Sequence, residues 1–148
     1  MRLLVERKRS GVYTRKADCV KGVYVLVVRV SSPTEIKIGS LGKLGFKPGL
    51  YAYVGSAQNN LDLRVARHKR KDKPVHWHID YLLKNPAATV SDVFIKPSDK
   101  SEECRIADLL AHNCIESLGG FGCSDCNCPS HMFRIRDTSF LKPYMHHM

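Results

Sequence analysis

The sequence predicts a domain of the α/β class, in its α+β form: a small, mostly antiparallel central sheet flanked by helices, with an inserted β-hairpin. Three observations predict it. The run Gly22-Val23-Tyr24-Val25-Leu26-Val27-Val28-Arg29-Val30 is rich in β-branched and aromatic residues and reads as a buried strand. After Tyr53-Val54-Gly55 the hydrophobic period changes from that of a strand to that of a helix. The elements then follow as a strand, a hairpin, two helices, a strand, a helix, a loop and a last strand, which is not an alternating βαβ array.

Each element has its own signal. Ser31-Ser32-Pro33 ends the first strand, and residues 35–38 alternate polar and apolar as a half-exposed strand does. Gly39, Gly42 and Gly45 punctuate a hairpin, Lys47-Pro48-Gly49 is a turn, and residues 50–55 form the next strand. Asn59 or Asn60 caps a helix over residues 61–71, and Pro74 closes it. Residues 76–83 read as a short second helix, stopped at Asn85-Pro86, and residues 89–95 as a strand. Ser101 caps a helix over residues 102–117 whose buried side carries Ile106, Leu109, Leu110 and Ile115; Gly119-Gly120 ends it. A Cys-rich loop at 119–131 leads to a strand at 132–136. The expected division is a basic extension at 1–21, one domain at 22–136 and a tail at 137–148.

Composition narrows the function. A chain of 148 residues has the length of one domain and can bury a core without disulfides. With 43% hydrophobic and 26% charged residues, it is neither disordered nor fibrous in character. Its longest apolar run, residues 23–28, falls far short of the roughly 20 residues that span a bilayer, and its first residues lack the apolar core of a secretory signal. The expectation is a soluble cytoplasmic protein with no membrane partner. Lys and Arg number 24 against 14 Asp and Glu, a net charge of +10, which favours a nucleic acid as partner; DNA and RNA both remain open. The basic residues cluster at Arg7-Lys8-Arg9 and at 67–73, where Arg67, Lys69, Arg70 and Lys71 are candidate phosphate contacts; ordinary solvated charge is the plainer alternative.

Six cysteines in a cytosolic chain argue for metal or chemistry rather than structural disulfides. Cys123-x-x-Cys126-x-Cys128-x-x-His131 supplies four soft ligands within one short loop, as a structural zinc requires, with Cys104 or Cys114 available to replace a member. Buried free thiols, or a disulfide such as Cys123–Cys126 or one reaching Cys104, are the alternatives.

One constellation carries chemistry. Tyr24 and Tyr53 each stand two residues from a glycine, and Arg64 and His68, four apart, share one face of the following helix. Glu102 or Glu103 adds a carboxylate. These are the groups a phosphodiester hydrolase needs: a base for water, cations for the phosphorane and a metal ligand. His76, Trp77, His78 and Asp80 follow; in a helix His76 and Asp80 lie one turn apart, and a core tryptophan with satisfied neighbours is the plain reading.

With Gly22-Val23-Tyr24, Tyr53-Val54-Gly55-Ser56-Ala57, Asn60-Leu61, Arg64 and His68, the chain resembles the GIY-YIG nuclease superfamily over residues 22–136. The stretches His76-Trp77-His78-Ile79-Asp80-Tyr81-Leu82, Glu103-Cys104 and Gly120-Phe121-Gly122-Cys123-Ser124-Asp125-Cys126-Asn127-Cys128 resemble one branch of small proteins, sometimes fused to DNA glycosylase-lyases of the endonuclease III type. A second GVY, Gly11-Val12-Tyr13, is not followed by an apolar strand and is set aside. The half-motifs lie farther apart than the about ten residues usual in the superfamily; the hairpin around 36–46 accounts for the excess, since surface insertions cost little loop-closure entropy.

The resemblance implies a metal-dependent endonuclease acting on DNA, directed by structure or lesion, abasic sites included. By resemblance Tyr24 is the general base or orients the water, and Tyr53 contacts the phosphate or the water, the choice of base remaining open. Arg64 binds phosphate and lowers a phenol pKa whose ordinary value is about 10. His68 assists proton transfer or contacts phosphate, and one of His76 and His78, with His76 preferred, is the second active-site histidine. Glu103 holds one Mg²⁺ or Mn²⁺. Asn127 or Asn113 stands near that metal, and Ser124, Asp125, Asn127 and His131 offer polar groups beside Glu103. Rival functions are a non-catalytic nucleic-acid-binding domain and a zinc-stabilised adaptor.

Overall fold

In the computed structural model, which describes residues 20–123 and 126–148, the apolar run forms the central strand β1, Gly22–Val30. It pairs on one side with β4, Gly49–Ala57, and on the other with β5, Ala88–Pro97, both antiparallel. Its side chains alternate between two cores, which is why the run is apolar throughout. Tyr24, Leu26, Val28 and Val30 face one core, with Leu61, Val65, Ile79 and Leu82. Val23, Val25 and Val27 face the other, with Ile106, Leu110, Leu141 and Met145.

The connection from β1 to β4 is the inserted hairpin, β2 (Thr34–Lys37) and β3 (Lys43–Phe46), a separate two-stranded sheet. Helix α1, Leu61–Lys69, begins at Asn60, whose side chain accepts the Leu63 N–H at 3.0 Å. Helix α2 is His78–Leu83, and α3 is Glu102–Asn113. The strands β6 (Glu116–Ser117), β7 (Met132–Ile135) and β8 (His146–His147) complete a six-stranded sheet in the order β6-β7-β4-β1-β5-β8. The fold is α+β: a mostly antiparallel six-stranded sheet flanked by three helices. No helix among the described residues is long and apolar enough to cross a membrane.

Several boundaries differ from expectation for identifiable reasons. α1 stops at Lys69 because Arg70 turns extended and the Lys73 ammonium takes over the terminal carbonyls of His68 and Arg70, at 2.9 and 2.5 Å. α2 starts at His78, because the Asp80 carboxylate accepts the backbone N–H groups of His76 and Trp77 and fixes the chain as a cap there. Ser101 holds the N-cap position of α3, but its side chain makes no capping bond; Asp99 accepts the Ser101 N–H at 3.0 Å. α3 ends at Asn113, where Cys114 turns extended and the chain joins the edge of β7, so Ile115 is exposed instead of buried. Residues 137–148 are not a tail: Leu141 and Met145 are buried, and β8 pairs with β5. Arg7-Lys8-Arg9, Gly11-Val12-Tyr13, Cys19, Ser124 and Asp125 lie outside the described residues.

Candidate active site and metal centre

Strand register brings the tyrosines together. Tyr24 is paired with Gly55, and Tyr53 sits opposite Leu26, so both phenols lie on one face of the sheet as diagonal neighbours, ring centroids 6.5 Å apart. The glycine is a steric requirement: a Cβ at position 55 would stand 2.5 Å from the Tyr24 hydroxyl and 2.7 Å from Cζ. Gly22 is equally constrained, since its Cβ would meet the Lys96 carbonyl at 2.5 Å. The two glycines answer to different neighbours: Gly55 makes room for the Tyr24 ring, and Gly22 for the backbone of β5.

From α1, His68 reaches the Tyr24 hydroxyl through Nε2 at 2.8 Å. The imidazole is buried, and burial pushes its pKa from 6.5 down to about 3, so the ring is neutral near pH 7. Burial also raises Tyr24 to about 12, against the opposing charge of Arg64, and pushes Tyr53 well above the ordinary phenol value. Arg64, one turn before His68, donates to the Ser56 carbonyl at 2.9 Å and lies over the Trp77 ring, 4.5 Å from its centroid.

Tyr24, Tyr53, Arg64, His76 and Glu103 all line one groove of about 400 Å³, together with Ser56, Asn59, Trp77, His78 and Lys100. Glu103 is the only carboxylate among these lining residues. It enters from α3, whose buried stripe runs Glu103, Ile106, Ala107, Leu110. His68 stands behind the groove, touching it through Tyr24. His76 lines the groove, but its side chain packs edge-on against Trp77 and it is the backbone of His76, not the ring, that bonds Asp80. His78 is the alternative to which sequence reasoning preferred His76. Its Nδ1 accepts the Gly122 N–H at 2.9 Å, which leaves the proton of the neutral ring on Nε2, and burial lowers its pKa. The groove thus holds cations, neutral proton-bearing rings and a single acid, a composition suited to a phosphate diester.

The Cys-rich loop folds against the N-terminal end of α3. Cys104, Cys126, Cys128 and His131 form a cluster able to hold a metal ion, with ligand atoms all within 4.8 Å of one another. Cys104 therefore replaces Cys123 in the set that spacing suggested. Cys123 stands beside Cys126 but outside that set, its thiol 3.4 Å from the Phe121 carbonyl, and Cys114 points at the Ala111 carbonyl. His131 is buried; its Nε2 lies 3.4 Å from Cys126 Sγ and its Nδ1 3.0 Å from Glu103 Oε2.

The basic run divides by direction. Arg67 forms a two-pronged ion pair with buried Asp80, both contacts at 3.1 Å, and stands over Trp77. Lys71 donates to the carbonyls of Leu83, Asn85 and Ala88. These two candidate phosphate contacts bond to other parts of the chain, although Lys71 is itself exposed, because α2 and the turn after it present uncapped carbonyls and a buried carboxylate to α1. Lys69 and Arg70 remain exposed. Burial alone would raise the Asp80 pKa; the Arg67 guanidinium and the His76 and Trp77 N–H groups hold it below the usual carboxylate value.

A family model described as "Domain of unknown function DUF123" matches residues 23–148, and the chain belongs to that family. No curated protein and no solved structure matches it.

Proposed function

We propose that this DUF123 chain is a metal-dependent endonuclease of GIY-YIG type that hydrolyses DNA phosphodiesters at damaged or structurally distorted sites, abasic sites among them. The observation that carries the reading is the convergence of Tyr24, Tyr53, Arg64 and Glu103 on one groove. Arg64 binds a non-bridging phosphate oxygen and stabilises the charge that grows there. Tyr24 passes its own hydroxyl proton to His68 and takes the proton of the attacking water as the new P–O bond forms and the ester bond to the leaving sugar oxygen breaks. His68, neutral and with the lone pair on Nε2, accepts that proton across the 2.8 Å contact. Tyr53 and the Nε2–H of His78 orient the water and the phosphate. A single buried carboxylate in a groove open to solvent fits Mg²⁺ or Mn²⁺, which take one or two carboxylates together with phosphate oxygens and water. When bound at Glu103, such an ion supplies neutralisation of the leaving oxygen.

The Cys/His cluster belongs to a second metal. Three thiols and an imidazole are the donor set of zinc, not of magnesium, and a cytoplasmic setting keeps the thiols reduced.

The test is cleavage of plain, nicked, branched and abasic DNA by the full chain with Mn²⁺. Wild type cuts; Tyr24→Phe and Glu103→Ala lose about 100-fold or more in rate. The reading fails if wild type cuts nothing, or if both variants cut at the wild-type rate. Binding that is salt-sensitive without cleavage would leave a non-catalytic nucleic-acid-binding domain. Metal analysis of the same preparation should find one zinc per chain.

A further inference from the structure

His131 is a buried imidazole with a different group at each nitrogen. A carboxylate at neutral pH only accepts, so Glu103, 3.0 Å from Nδ1, requires the ring proton there. In the neutral ring, the form that ligates a metal, Nε2 is then the lone pair, and it faces Cys126 within the cluster of three sulfurs. Nδ1 has no other acceptor among the described residues, and its approach to Glu103 is off-line for a good hydrogen bond, so a small turn of either side chain decides how well the pair is made. The backbone of His131 is fixed from both sides: its N–H donates to the Phe121 carbonyl at 2.8 Å, and its carbonyl accepts from Val54, next to Tyr53, at 3.0 Å.

We infer that Glu103 is the outer carboxylate of the Cys104–Cys126–Cys128–His131 metal centre, accepting the Nδ1 proton of the ligating histidine, so that the centre in the loop sets the position of the acid in the groove. A ligating histidine usually gives its second nitrogen's proton to such a partner, which fixes the tautomer and strengthens the ligand. The inference rests on reading the cluster as a metal site. Glu103 thereby acts as a positioning residue for the loop centre, besides its proposed place as a ligand in the groove. It also gives a physical reason for the Glu-Cys pair at 103–104: adjacent residues at the start of α3 place one side chain in the centre and the other against its histidine.

The experiment is titration of the reduced, metal-free full chain with Co²⁺, followed by the sulfur-to-cobalt charge-transfer absorption. Wild type and Cys123→Ser are expected to show the band with equal affinity, and Cys128→Ser to weaken it severely. Glu103→Ala is expected to keep the band but bind Co²⁺ about 10- to 100-fold more weakly, with Glu103→Gln, which keeps an acceptor oxygen without the charge, in between. Glu102→Gln, a neighbour whose carboxylate pairs with Lys96 and Arg105, should bind as wild type does. If wild type gives no band, the metal reading itself fails. If wild type gives the band and both Glu103 variants bind with wild-type affinity, the metal reading stands and the shared role of Glu103 is overturned. None of these measurements depends on cleavage.

Discussion

The hydrogen bond between Tyr24 and His68 holds together two groups that burial keeps neutral. For the histidine this has a consequence for stability with a definite sign. Its pKa is 6.5 when exposed and about 3 in the fold, so between these values the unfolded chain binds the extra proton. Stability therefore rises with pH across that window and is lost as the pH falls below 6.5, with a slope of at most about 1.4 kcal/mol per pH unit from this one group. Urea unfolding between pH 6.5 and 5 lies above the range where most carboxylates titrate, and comparison with His68→Gln separates this ring from His78, whose lowered pKa acts in the same direction. Wild type should lose stability over that interval, and His68→Gln should lose distinctly less. Equal slopes would mean that the ring is solvated enough to protonate in place.

At the scale of elements, α1 and α2 are joined by charge as much as by apolar contact. Asp80 has a 1% exposed side chain and collects a guanidinium and two backbone N–H groups. Asp80→Ala would leave Arg67 facing a buried gap and the start of α2 uncapped, a loss of about 3 kcal/mol or more, read as a fall in the urea midpoint. Asp80→Asn, which keeps an acceptor, should lose less; a wild-type midpoint for Asp80→Ala would mean the pair contributes nothing. This junction was not legible in the sequence, where the same residues read as a phosphate-binding run and a helical His76–Asp80 pair, because Arg67 and Asp80 are thirteen residues apart on different elements. What was legible was local: β1 and β4 announce themselves as apolar runs rich in β-branched and aromatic residues, Asn60 announces its cap, and the hairpin is marked by glycines. The two-residue strands β6 and β8 have no period to detect. Membership of Cys104 in the metal cluster, and the contact of Glu103 with His131, depend on how α3 lies against a loop more than twenty residues later. Spacing within the loop favoured Cys123, because sequence proximity is a poor guide to which thiol a folded loop turns inward.

For the whole molecule, the charge of +10 is a statement about partners only to the extent that the cations face solvent. Lys71 and Lys73 spend their ammonium groups on backbone carbonyls, and Arg67 on Asp80, so the net charge overstates the free basic surface around α1. Lys69 and Arg70 stand exposed at the end of that helix, on the element that also carries Arg64 into the groove. If DNA lies along this face, each phosphate these two contact releases counterions, and the logarithm of the affinity falls with the logarithm of salt by about 0.9 per contact. Replacing both Lys69 and Arg70 by Ala should therefore lower the slope by up to about 2 and weaken binding to all sequences alike, with little change in unfolding midpoint. Lys71→Ala should do the reverse. It removes the donor that satisfies Leu83, Asn85 and Ala88, so the urea midpoint falls while the salt slope stays near that of wild type. Salt titrations of a fluorescent duplex, paired with urea melts of the same three proteins, separate the two classes of cation. A slope that drops with Lys71→Ala but not with the double variant would place the DNA against the other side of α1 and away from the groove.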